Sequence, residues 1–306
     1  PIKIIYPMKK SLLTILALGG FLSASAQLVE VAGVEKVALP EGVRVVQAVL
    51  SPDGANAVIT SGNGISLLNL ASAQTSAISE NGSISNLQFT ADGSKVMFRE
   101  SSVDANHRRF TAVKTFNAAN GAVATVAEPS REVQGMGFTG ADAVAVNAGK
   151  AKAKRLSDVE PQAVLPVLSI NRGDLCVTAA GKTTVLNPLG DKANSYLWPS
   201  LSPDGKRICF YAVGCGAYTC NLDGSDLKSL GMLRAPRWLD NNIVVAMDDK
   251  DNGYVTVESA VIAVKADGSV NQRLTTADQV ALFPSAANGR IAFTDNEGAL
   301  YIINLK

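Results

Sequence analysis

A four-residue turn motif, Ser-Pro-Asp-Gly, recurs along this chain and constrains its fold more than any other feature. It occurs at 51–54 and at 202–205, and a variant, Thr-Ala-Asp-Gly, occurs at 90–93. Proline presets φ for the first central position of a type I turn, aspartate accepts hydrogen bonds from nearby amides, and glycine closes the turn with positive φ. Short runs rich in Val, Ile and Phe flank each copy, which predicts strand–turn–strand units. The turn residues singled out are Ser51, Pro52, Asp53, Gly54, Asp92, Gly93, Ser202, Pro203, Asp204 and Gly205.

Weaker copies of the motif at 139–142, 239–242 and 286–289 extend the repeat to the end of the chain. Two further strand candidates follow most copies, which gives four strands per unit. Successive units begin 37 to 63 residues apart (201 to 238, and 138 to 201), a spacing typical of propeller blades. We therefore predict an all-β fold, a six-bladed β-propeller of four-stranded antiparallel blades. The longest spacing is attributed to a loop insertion between Gly149 and Asn171.

The ring is predicted to close through a strand that precedes the first repeat unit. The last unit has only three strand candidates, which end at Leu300–Leu305, whereas an unassigned strand, Val34–Leu39, precedes the first unit. If the two pair, no open sheet edge remains between the first and the last blade. No helix longer than one or two turns is expected after residue 30.

Two segments carry a resemblance to a known family. Trp198–Ile208 (WPSLSPDGKRI) closely resembles the signature of the WD40-like, TolB-type propeller repeat known as PD40, and Asn86–Phe98 (NLQFTADGSKVMF) is a second good match. The resemblance extends, more weakly, over the rest of the mature chain. It implies a six-bladed propeller that serves as a protein-binding platform in the cell envelope.

The N-terminal region has the three parts of a secretory signal peptide. Met8–Lys10 is basic, Leu12–Leu22 is apolar, and Ala24–Ala26 is an A-x-A cleavage site. The prediction is that residues 1–26 are removed, that the mature protein begins at Gln27, and that 27–306 is one propeller domain. Export would place the protein in the periplasm or outside the cell, with no transmembrane segment in the mature chain.

The low net charge of the chain argues against nucleic acid as a partner. The formal net charge is +1, so no strong field attracts nucleic acid. The expected partner is another envelope or periplasmic protein, bound by a monomer or within a hetero-complex.

The chain has few residues arranged for catalysis or metal binding, and no catalytic, cofactor-binding or metal-binding residue is predicted. His107 is the only histidine, no G-x-S-x-G motif accompanies it, and one histidine cannot build a His-rich metal site. The alternative function is a propeller enzyme, or a protein that binds a glycan or small ligand in its central funnel. Two carboxylates converging in the funnel would favour the enzyme.

Two charged segments have two interpretations each. Asp248–Gly253 could bind Ca²⁺ through oxygen ligands, although Lys250 occupies a position that requires an oxygen; the alternative is an exposed hairpin tip. Lys150–Arg155 (KAKAKR) could dock an acidic partner; the alternative is a solvated loop.

The cysteines and tryptophans give two predictions about packing. A two-residue loop at Gly214-Cys215 would place Cys209 opposite Cys220, where a disulfide is feasible. Two buried free thiols are the alternative, and a change of one residue in the loop would exclude the bridge. Trp198 and Trp238 precede turns and are expected to pack between blades rather than to form ligand platforms.

Overall fold

The computed structural model describes residues 27–156, 159 and 163–306, and nearly all of them belong to β-strands or tight turns. The predicted signal peptide lies outside these residues. The first thirteen strands are β1 (Val31–Lys36), β2 (Val45–Leu50), β3 (Asn56–Ser61), β4 (Gly64–Asn69), β5 (Thr75–Ser79), β6 (Ile84–Phe89), β7 (Lys95–Val103), β8 (Arg109–Asn117), β9 (Val123–Ser130), β10 (Val133–Thr139), β11 (Asp142–Asn147), β12 (Lys150–Arg155) and β13 (Val167–Asn171). The others are β14 (Asp174–Ala179), β15 (Lys182–Val185), β16 (Tyr196–Leu201), β17 (Arg207–Ala212), β18 (Gly216–Asn221), β19 (Lys228–Gly231), β20 (Arg234–Trp238), β21 (Ile243–Asp251), β22 (Thr256–Lys265), β23 (Asn271–Arg273), β24 (Leu282–Ala287), β25 (Arg290–Thr294) and β26 (Leu300–Leu305). The helices within the described residues are two short 3₁₀ turns, Gly190–Lys192 and Ala277–Gln279.

The strands form six antiparallel sheets in a ring, which confirms the propeller prediction. Five sheets have four strands each: β2–β5, β6–β9, β16–β19, β20–β23, and β24–β26 together with β1. In each of the first four, the chain passes from one strand to its neighbour through tight turns. The first strands lie next to one another around the axis, since β20 contacts both β16 and β24.

The ring closes as the sequence predicted. β1 pairs antiparallel with β26, and Val34 lies opposite Ile303. Two further backbone hydrogen bonds extend this pairing at its ends, from Val37 to Leu300 (2.8 Å) and from Lys306 to Glu30 (3.0 Å). The closing strand is Val31–Lys36, displaced toward the N-terminus from the predicted Val34–Leu39.

The third sheet departs from the predicted four strands. Its order is β12-β11-β10-β13-β14-β15, two three-stranded halves joined where Gly135 pairs with Ser169. The predicted loop insertion at 149–171 is therefore wrong, because it contains β12 and β13. Alternating Lys and Ala give β12 no apolar run of its own. It forms because β11, which is largely buried, offers it a complete ladder from Asp142↔Arg155 to Asn147↔Lys150.

The core lies between the sheets. Ile208 and Phe210 of β17 pack on one side of their sheet, and Cys209, between them, packs on the other. Because successive side chains of a strand point to opposite faces, a strand buried on both faces carries an uninterrupted apolar run. Trp238 is only 6% exposed and belongs to the cluster that contains Cys209, as predicted for a residue packed between blades.

The propeller has two faces with different connections, best seen in the four-stranded sheets β2–β5, β6–β9, β16–β19 and β20–β23. We call the face where their first strands begin, and where the second and third strands are joined, the hairpin face. We call the opposite face, where the first and second strands are joined by the repeated turn motif, the turn face. Two hairpins extend the hairpin face, because β7–β8 and β21–β22 have strands of nine or ten residues.

Candidate functional site

The repeated motif forms compact turns on the turn face. The Ser202 hydroxyl donates a hydrogen bond to Oδ1 of Asp204 (2.6 Å) and accepts one from the backbone N–H of Arg207 (2.9 Å). In the first copy, the Ser51 hydroxyl donates to Oδ1 of Asp53 (2.5 Å). Both serines are buried, so their hydroxyls satisfy backbone groups inside the turn. These hydrogen bonds hold the pKa of both aspartates below its usual value.

The variant copy has the same construction. Oδ1 of Asp92 accepts the N–H of Ser94 at 2.9 Å. Gly54, Gly93 and Gly205 close their turns with φ of 69°, 73° and 69°, where a residue with a side chain would be strained. Both Pro52 and Pro203 are exposed, and Pro52 lies beside Gly93 of the next sheet.

Neighbouring turns also contact one another. The Asn288 side chain donates to the backbone oxygen of Asp53 (2.7 Å), and Arg290 donates to that of Gly54 (2.9 Å). Between the sheets β16–β19 and β20–β23, the N–H of Asp204 donates to Oδ1 of Asn241 (3.0 Å). The polar groups of the turn face therefore bind each other and join adjacent sheets.

The hairpin face differs, because exposed apolar side chains gather there. Seven of the twelve large, exposed apolar residues in the described part of the chain lie at strand ends or connections on this face. Five belong to two adjacent sheets, β16–β19 and β20–β23, and Tyr254, at the tip of the β21–β22 hairpin, is 94% exposed. The seven are Val46, Val103, Leu197, Met232, Tyr254, Val255 and Val257. More than half of the large exposed apolar residues in the described chain therefore lie on this one face.

Ion pairs stiffen the hairpin that carries Tyr254. Asp248 pairs with Arg273 (2.9 Å), and Lys250 pairs with Glu258 (2.8 Å). Oδ1 of Asp251 accepts the backbone N–H of Gly253 at 2.9 Å. These contacts engage the oxygens that the calcium interpretation needs, and no group of three or more His, Cys, Asp or Glu side chains in the described residues could hold a metal. Residues 250–253 form the exposed end of the hairpin, as in the second interpretation, whereas Asp248 and Asp249 lie further back in β21.

A cluster of large side chains lies at the root of this hairpin. Arg234 donates to Oδ2 of Asp249 (2.7 Å), whose side chain is only 2% exposed. The guanidinium carbon of Arg234 lies 5.8 Å from the ring centroid of Trp198, and that ring lies 5.6 Å from Tyr211. Trp198 is half-buried between these neighbours, so it packs between two sheets instead of offering an open platform.

The strands around the axis carry no carboxylate. β2, β6, β10, β13, β16, β20 and β24 contain no Asp or Glu, and their charged residues are Arg234 and Arg237. Arg237 donates to the backbone oxygens of Trp198 (3.3 Å) and Pro236 (2.9 Å), and burial lowers the pKa of its guanidinium. These strands therefore supply no pair of acids for glycoside hydrolysis.

His107 lies in the tight turn that joins β7 to β8. Its side chain is exposed and its φ is +58°, and its backbone N–H donates to the oxygen of Asp104 at 3.0 Å. The side chain has no hydrogen bond to a serine or cysteine. The turn thus holds the backbone of His107 and leaves the imidazole in solvent.

The cysteines do not pair as the first interpretation required. The loop between β17 and β18 spans three residues, Val213–Cys215, because Ala212 pairs with Gly216. This shifts the register by one, so that Cys209 lies opposite Thr219 and Cys220 opposite Ile208. The two thiols then face opposite sides of the sheet. All four cysteines are free, and burial raises the pKa of Cys209 and of Cys220 to about 12.

Sequence reasoning missed the apolar residues of the hairpin face. The signal for Tyr254 and Val255 was present, since they directly follow Asp251-Asn252-Gly253, a turn at the end of two long strands. A turn of this kind lies at the surface, so an adjoining Tyr-Val pair is exposed. Met232 and Leu197 carried no such signal, because their exposure depends on how neighbouring sheets meet.

Comparisons with known proteins show the fold alone. No family model matches the chain, and no curated relative matches it. A chain of the mitotic checkpoint complex superimposes with a TM-score of 0.62 at 9% identity, over 94% of this chain and 98% of that one. A TolB-type protein from Agrobacterium tumefaciens superimposes with a TM-score of 0.52 at 14% identity, over 85% and 89%. An oligogalacturonate lyase from Vibrio parahaemolyticus, at 0.47 and 12% identity over 87% and 79%, is too distant to inform function.

Proposed function

We propose that this chain is an exported, non-catalytic scaffold of the cell envelope that binds another protein through its hairpin face. The observation that carries the proposal is the gathering of exposed apolar side chains on that face. Tyr254, Val255 and Val257 extend from one sheet, and Met232 and Leu197 lie on or beside the adjacent one. Apolar side chains exposed together on one side of a rigid scaffold are typical of protein-binding surfaces.

The residues around this patch support a protein as the ligand. Tyrosine, tryptophan and arginine are the residues that most often dominate binding energy at protein interfaces. The Tyr254 side chain is almost fully exposed, and Arg234 and Trp198 lie at the root of the hairpin that carries it. The ion pairs of Asp248 and Lys250 hold the hairpin in shape before binding, which lowers the entropic cost of association.

Export and the envelope location rest on the N-terminal sequence. The basic, apolar and small-residue parts of 8–26 are those of a signal peptide, and the TolB-type fold is compatible with an envelope role. No helix in the described residues is long and apolar enough to cross a membrane. N-terminal sequencing of the protein recovered from the envelope fraction should give Gln27; an uncleaved chain in the cytoplasm would contradict export.

The binding proposal is tested with a variant of the patch. In the triple variant Met232→Ser, Tyr254→Ser and Val255→Ser, all three side chains are exposed, so folding should be preserved. We expect the wild-type protein, carrying a photo-cross-linker in place of Val257, to link to one envelope protein. The triple variant should lose that link, as measured by quantitative mass spectrometry.

A matched control uses exposed apolar residues elsewhere. Val123→Ser and Leu227→Ser remove comparable side chains from β9 and from the segment before β19, away from the hairpin face. This double variant should retain the cross-linked protein. If the triple variant retains it equally, or if the cross-linker captures no defined protein, binding through the hairpin face is wrong.

A further inference from the structure

The third sheet carries an edge strand that has no counterpart in the other sheets. Among the described residues, β12 pairs with β11 alone, and β15 pairs with β14 alone. Every other sheet has a fourth strand in this place. The outward backbone N–H and C=O groups of β12 therefore have no strand partner in the described part of the chain, and they form a template to which another strand can add.

A large cavity lies beside this edge, between the two halves of the sheet. Its volume is about 860 Å³, and its lining is mostly apolar. Ala151 and Ala153 of β12 line one wall, and Val177, Thr184 and Val185 line the other. Since the alanines are short, the two halves do not fill the space between them. Side chains that extend from a strand added to β12 could enter it.

The other side of β12 is basic. Lys150, Lys152 and Lys154 alternate with the cavity-lining alanines, so they point away from the cavity. Lys150 and Lys152 are exposed and have no ion pair in the described part of the chain. The net charge of the whole protein is only +1, which makes this a local concentration of positive charge.

We propose that β12 binds an extended segment of a partner protein as an added strand, and that this segment alternates apolar with acidic residues. Residues opposite each other on paired strands share a face of the sheet. The apolar side chains of the added strand would therefore lie beside Ala151 and Ala153, and its acidic side chains beside the lysines. A second copy of β12 is a poor occupant, because its lysines would repel these. The surface is distinct from the hairpin face, so the two proposals fail independently.

The probe is a labelled, capped peptide of alternating valine and glutamate, long enough to pair with all of β12. We expect it to bind with a measurable change in fluorescence anisotropy and to protect the backbone amides of 150–155 from hydrogen exchange. Two control peptides should bind weakly: one with its valines and glutamates in separate blocks, and one in which lysine replaces glutamate.

The variant K150E/K152E should weaken binding of the valine–glutamate peptide by about tenfold and strengthen binding of the valine–lysine peptide. K192E/K206E changes two exposed lysines elsewhere and should alter neither affinity. Equal binding of the block peptide, or binding without protection of 150–155, would overturn the proposal. So would a wild-type protein that binds no peptide. Self-association of K150S/K152S in that case would show that the lysines serve only to prevent edge pairing.

Discussion

The Ser202 hydroxyl lies 2.6 Å from Oδ1 of Asp204, to which it donates a hydrogen bond, and it accepts the backbone N–H of Arg207 at 2.9 Å. Because Ser202 is only 2% exposed, Ser202→Ala leaves that N–H without its side-chain acceptor in the buried turn. We expect a loss of about 1–3 kcal/mol in the free energy of unfolding, measured in urea. Ser225 donates a similar bond to Asp223 but is exposed, so Ser225→Ala should cost less than about 0.5 kcal/mol. Equal losses would show that burial of the turn contributes nothing.

The same turns make the stability of the folded protein depend on pH in the acid range. Hydrogen bonds from Ser51 and Ser202 lower the pKa of Asp53 and Asp204 in the folded state. A carboxylate whose pKa is lower in the folded than in the unfolded protein stabilises the fold at pH values above its unfolded pKa, about 4. This stabilisation is lost as the pH falls through the folded pKa. The melting temperature should therefore decline below about pH 4. The double variant Ser51→Ala and Ser202→Ala should show a shallower decline; an unchanged slope would assign the acid sensitivity elsewhere.

The cysteines should remain reduced and differ in reactivity. Cys209 and Cys220 face opposite sides of their sheet, and burial raises the pKa of both to about 12. Cys215 is partly exposed, so it should react first with a water-soluble alkylating reagent. Mass spectrometry after denaturation should find four alkylated thiols without reduction. A linked Cys209–Cys220 peptide would contradict the three-residue loop.

Trp238 joins two sheets through packing and one hydrogen bond. Its indole N–H donates to the backbone oxygen of Ser200 at 3.0 Å, and its ring is 6% exposed. Trp238→Phe should cost about 1 kcal/mol, largely for the lost hydrogen bond, and Trp238→Ala about 3–5 kcal/mol because it opens a cavity. Leu197→Ala, at a residue 40% exposed, is the control and should be nearly neutral. Comparable unfolding energies for Trp238→Ala and Leu197→Ala would refute the packing role.

Features set by neighbouring residues were predictable from sequence. The Ser-Pro-Asp-Gly turns, the strands beside them and the strand that closes the ring follow from local turn chemistry and apolar runs. The same reasoning failed at β12, where Lys and Ala alternate and only pairing with β11 makes a strand. It also misplaced Cys209 relative to Cys220, because one extra loop residue moves every side chain to the opposite face.

The sequence by itself determined a ring of repeated hairpins, since each turn motif sets its own backbone conformation. Only the tertiary structure decided the surfaces available for binding. Whether Leu197 and Met232 are exposed, whether Asp249 pairs with Arg234, and whether Lys150 and Lys152 lie on an edge strand all depend on contacts between residues distant in sequence. Such contacts form when sheets stack, and no local pattern of residues encodes them.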